Sequence, residues 1–245
     1  MKKQLSALAA LTMAFTMCAS SNAFALNYTA TLGNASTFET MTEVRANEAA
    51  AMKHVKENYV AHPVMSDFPG DTTYVYRSAD MYGINAAVRL NTNLVVYSDQ
   101  SFENKDAALS YLKELGLTDM VDQARGSVIL VTPSDPEKGF TAEDQKNYYK
   151  LQTAMFAINA SGVQDGEEVT YVDASYYGGF GFYYVIGVDG GATFLNNYVS
   201  GTLDYVSRIA GMLLVGGDME RISSVASSVP VYLIDADEDT IDKYC

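Results

Sequence analysis

The sequence predicts an α/β fold, a mainly parallel sheet covered by helices on both faces. Two observations carry that expectation. The runs at 126–131, 183–186 and 209–215 are apolar almost without alternation, as strands buried on both faces must be. Between such runs lie stretches whose apolar residues recur at helical spacing, so strand and helix alternate along the chain.

Residues 1–25 read as a secretory signal peptide. Lys2 and Lys3 form a basic start, 5–18 is an uncharged apolar run, and Ala23-Phe24-Ala25 offers small residues for cleavage. The run is too short for a bilayer-spanning helix, which takes about 20 residues. A secreted protein is expected, with no membrane span. Residues 26–69 read as an N-terminal helical extension. Thr40 and Glu43 have the spacing of a capping box, and an alanine-rich run to Met52 favours helix from Ser36 to about Tyr59. His54 falls on a solvated helix face, and His62 precedes Pro63 in a turn.

Residues 70–245 read as one α/β domain. The β-branched and aromatic runs at 72–76 and 93–97 predict strands. Ala108, Leu109, Leu112 and Leu115 predict a helix over 106–115 that stops at Gly116. A strand over 126–131 ends at Thr132-Pro133, and Thr141 with Asp144 opens a helix to about Ile158. A strand over 183–186 leads through glycines into a helix over 192–200. Strands over 209–215 and 229–234 follow, with room for a small helix between them.

The chain carries 16 Lys and Arg against 30 Asp and Glu, a formal net charge of −14. Nucleic acid and anionic membrane surfaces repel such a field, so neither is an expected partner. Cys18 leaves with the signal peptide, and Cys245 then has no partner for an intramolecular disulfide. No Cys/His spacing suits zinc. The acidic run Asp235, Asp237, Glu238, Asp239 and Asp242 lacks the glycine of a calcium loop and reads as solvated. Gly178, Gly179 and Gly181 are not followed by the Gly-Lys of a phosphate loop, and the aromatic run 176–184 reads as a loop entering a strand. Neither metal nor cofactor is expected.

The informative stretch is Gly187-Val188-Asp189-Gly190-Gly191, set between a buried strand and a helix. A side chain lifted above a sheet edge on so sharp a turn needs small residues two before and two after it. Gly187 and Gly191 meet that need. The pattern resembles the nucleophile elbow of the α/β-hydrolase family, normally Gly-x-Ser-x-Gly, and the resemblance extends over roughly residues 70–245. It is nearest to secreted esterases and polyester depolymerases. It implies that Asp189 stands at the nucleophile position and that the Gly190 N–H belongs to an oxyanion hole. Asp237, or alternatively Asp239, follows the strand that carries the family's acid, and a small or polymeric ester would be the ligand.

Two departures shape the functional expectation. Family members with aspartate at the elbow attack carbon with its carboxylate and carry tryptophan next, where this chain has Gly190 and no tryptophan anywhere. The family histidine belongs after the acid, beyond one more strand. The only histidines, His54 and His62, precede the elbow, and the sequence ends at Cys245 before the family's last strand and helix. A positioned base contributes about 10²–10⁴-fold to such reactions. The expectation is therefore an impaired or non-catalytic hydrolase-like protein that binds a ligand or partner. The alternative is a hydrolase of carboxylic esters working through Asp189.

Overall fold

The computed structural model of the chain describes residues 36–43, 70–78, 93–124, 126–157, 183–218 and 229–235. Seven strands form one sheet: β1 (Thr37–Thr40), β2 (Thr73–Arg77), β3 (Asn93–Ser98), β4 (Ser127–Val131), β5 (Tyr183–Val188), β6 (Ile209–Val215) and β7 (Val231–Ile234). Their spatial order is β1-β2-β4-β3-β5-β6-β7. β1 and β2 run antiparallel to their neighbours, whereas β4, β3, β5, β6 and β7 are mutually parallel. β5 lies between β3 and β6, well inside the sheet, so the turn after it opens at the carboxyl edge of the parallel strands.

Burial on both faces explains the unbroken apolar runs. In β3, Leu94 and Val96 point into one core and Val95 and Tyr97 into the other. In β4, Val128 and Leu130 oppose Ile129 and Val131 in the same way. Each such side chain contributes roughly 1.5–3 kcal/mol by leaving water. One face is covered by α1 (Lys105–Glu114) and α2 (Leu117–Ala124), through Ala108, Leu112, Leu117, Met120 and Val121. The other is covered by α3 (Asp144–Ala157), through Tyr148 and Leu151, and by α4 (Gly190–Phe194). α4 runs without a break into a π-helical turn, Leu195–Val199, and a short α5 (Leu203–Val206) follows.

The helix ends have local causes. Asn104 caps α1 by accepting the Ala107 N–H at 2.9 Å, and Gly116 takes φ 72° to end it. Asp144 Oδ2 accepts the Thr141 N–H at 2.8 Å at the start of α3.

One expectation needs correction. The helix expected from Ser36 does not begin there, because residues 37–40 are the edge strand β1. Phe38 stacks on Tyr74 of β2 at 5.7 Å, and Glu39 pairs with Arg77, so cross-strand contacts outweigh local helix preference. The capping box itself is present and sets the later start. The Thr40 N–H donates to Glu43 at 2.7 Å, the Glu43 N–H donates to Thr40 Oγ1 at 3.2 Å, and helical backbone begins at Met41. The alanine-rich run beyond lies outside the described residues. Gly116 ends the helix as expected, and α2 begins at the next residue.

Candidate functional site

The site is built on the turn from β5 to α4. Asp189 takes φ 50° and ψ −115°, a region that a side chain makes costly by about 1–3 kcal/mol. Its backbone is fixed from both directions. The Asp189 N–H donates to Val215 O of β6 at 2.8 Å, and its carbonyl accepts the N–H groups of Ala192 at 2.9 Å and Thr193 at 3.2 Å. The sheet and the first helical turn together hold a conformation that neither would select alone.

The neighbouring glycines are spatial requirements. A Cβ on Gly187 would lie 2.5 Å from Ala192 Cα, and one on Gly191 would lie 1.9 Å from Tyr97 O. Helix and sheet meet backbone to backbone there. Past β6, a Cβ on Gly216 would lie 2.6 Å from Asp189 Oδ1, and one on Gly217 would lie 2.5 Å from Asp189 O. Sequence reasoning singled out Gly187, Gly190 and Gly191; Gly216 and Gly217 escaped it because they act from the end of another strand.

Asp99 was also missed, and it changes the electrostatics. It follows β3, next to β5 in the sheet, and its Oδ2 accepts the Gly190 N–H at 3.2 Å. The donor expected for an oxyanion thus faces a carboxylate. Asp189 is solvent-exposed, yet the protein around its carboxyl partly desolvates it and the charge of Asp99 adds to the effect. Both raise its pKa above the ordinary 3.8. Tyr111, on α1, lies beside the pair. Its hydroxyl is 3.0 Å from the Oγ of fully buried Ser98; burial raises its pKa most, the Ser98 hydrogen bond partly offsets this, and the charges of Asp189 and Asp99 add to the rise.

The site therefore assembles Asp189, Gly190, Asp99, Tyr111 and Ser98 at the carboxyl edge of β3 and β5. The expected acid, Asp237 or alternatively Asp239, lies outside the described residues, as do His54 of the expected solvated helix face and His62 of the expected turn. Asp235 closes β7 with φ 54°. Among the described residues, no group of three or more His, Cys, Asp or Glu side chains could hold a metal ion, and no helix is long and apolar enough to cross a membrane. No protein-family model matches the sequence, and no curated protein matches it.

Proposed function

We propose that this chain is a secreted α/β-hydrolase-like protein whose elbow site binds a ligand or partner and does not turn over esters efficiently. The carrying observation is the hydrogen bond from the Gly190 N–H to Asp99. Acyl transfer develops negative charge on the substrate's carbonyl oxygen, and preorganised N–H donors supply much of the stabilisation of that charge. Here the N–H in question already serves an anion, and an oxyanion placed to use it would lie against the Asp99 carboxylate. The same group that should lower the barrier is thus coupled to one that raises it. The family resemblance of Gly187-x-Asp189-x-Gly191, the strand order and the strained turn support the hydrolase-like part of the reading.

A specific observation favours the second reading, an ester hydrolase using Asp189. The residue is exposed on a strained backbone, and such strain clusters at functional sites. Hydrolysis of a short-chain nitrophenyl ester by the purified protein, beside an Asp189→Ala control, decides between them. Rates equal to the control are expected. Turnover well above background that disappears in Asp189→Ala would reject the non-catalytic reading.

A further inference from the structure

Asp189 is followed by glycine, and the turn holds the two residues in an arrangement with its own chemistry. In an L-residue, Cβ is displaced from the backbone nitrogen by a third of a turn about the Cα–C bond. A ψ of −115° therefore nearly eclipses Cβ of Asp189 with the nitrogen of Gly190. That is the arrangement in which the side-chain carboxyl carbon and the next backbone nitrogen close a five-membered ring. Flexible chains rarely visit it, because L-residues avoid this region. The fold keeps Asp189 there permanently, through the bonds to Val215, Ala192 and Thr193.

Three further features remove the usual obstacles. Gly190 carries no side chain to block approach to its nitrogen. Its N–H stands at the start of α4, where the first N–H groups have no partner within the helix, so losing that proton breaks no helical hydrogen bond. The N–H points instead at Asp99 Oδ2, 3.2 Å away, which is a carboxylate placed to receive the proton.

We propose that Asp189–Gly190 is a site of self-modification, forming a cyclic imide and then an isoaspartyl linkage, with Asp99 as the proton acceptor. In the first step the Gly190 nitrogen bonds to Cγ of protonated Asp189, and its proton passes to Asp99. The C–OH bond then breaks, the hydroxyl takes the proton back from Asp99, and one water leaves. In the second step water adds to either imide carbonyl. One opening restores aspartate, and the other leaves a β-linked residue with one more methylene in the main chain. That product lengthens the turn and moves the free carboxylate onto the α-carbon, so the site is rebuilt by its own residues and water alone.

The test is peptide mapping by mass spectrometry of the full chain aged at near-neutral pH, folded and in concentrated urea. Asp165-Gly166 is the same dipeptide elsewhere in the sequence and serves as the reference. At Asp189–Gly190, the mass lower by one water, and then isoaspartate at the original mass, should form about tenfold faster in the folded protein than in urea, since the geometry is preorganised. Folding ordinarily slows this chemistry, so an equal or slower rate in the folded protein overturns the proposal. Asp99→Asn keeps an oxygen acceptor but removes the base, and should slow the folded rate towards that in urea. An unchanged rate in folded Asp99→Asn overturns the assignment of Asp99.

Discussion

At the scale of single residues, Asp189 combines two costs that one substitution separates. Its backbone occupies a region that glycine enters freely, and its carboxylate sits beside that of Asp99. Asp189→Gly should therefore stabilise the fold by about 1–3 kcal/mol through released strain, read as a higher urea midpoint at unchanged slope. Charge adds a pH dependence of determinable sign. Because the folded pKa of Asp189 is raised, the stability it contributes is complete below the ordinary value of 3.8 and is lost as pH rises through the raised folded value. The advantage of Asp189→Gly over the parent should accordingly be largest at neutral pH and shrink on acidification across that window. An advantage that grows in acid would mean that the carboxylate is stabilised in the fold.

At the scale of elements, the most constrained contact is between α4 and the sheet. Gly191→Ala would drive a methyl into Tyr97 O, a backbone atom of β3 that cannot move without moving the sheet. Overpacking of this kind costs about 1–3 kcal/mol and occasionally more, and here the obstructing atom is main chain. A fall in thermal midpoint for Gly191→Ala well beyond that for Gly139→Ala, which sits in an open loop and bears only the cost of a positive φ, would locate the effect in the close approach. This glycine was legible in the sequence because its requirement is local, two residues from the turn. The parallel strands were legible for a different reason: burial on both faces demands an unbroken apolar run, as in Leu94–Tyr97 of β3 and Val128–Val131 of β4. β1 was not legible, since Thr37-Phe38-Glu39-Thr40 is short and polar and owes its place to Tyr74 and Arg77, far along the chain. Asp99 was hidden for the same reason, because its partner is the backbone N–H of a residue on a neighbouring strand's turn.

At the scale of the whole molecule, the formal net charge of −14 is the property that acts everywhere at once. Like charges repel across the folded surface, and compaction brings them closer. Opposite pairs that salt would weaken, among the described residues, include two kinds. Lys105–Glu43 and Lys138–Asp135 are exposed, and such pairs contribute little. Arg77–Glu39 is largely buried, Arg77 being 2% exposed, and screening reaches it poorly. Adding salt should therefore relieve more repulsion than it removes attraction. Raising ionic strength from about 0.01 M to about 0.15 M shortens the screening length from about 30 Å to about 8 Å, less than the span of the sheet. The thermal midpoint should rise by a few degrees over that range and then level off, with sodium chloride and potassium chloride acting alike. A midpoint that falls with salt would show that surface pairing outweighs the net repulsion. A rise produced only by calcium, at concentrations too low to screen, would mean that a carboxylate cluster binds that ion specifically, a different origin of stability from the one argued here.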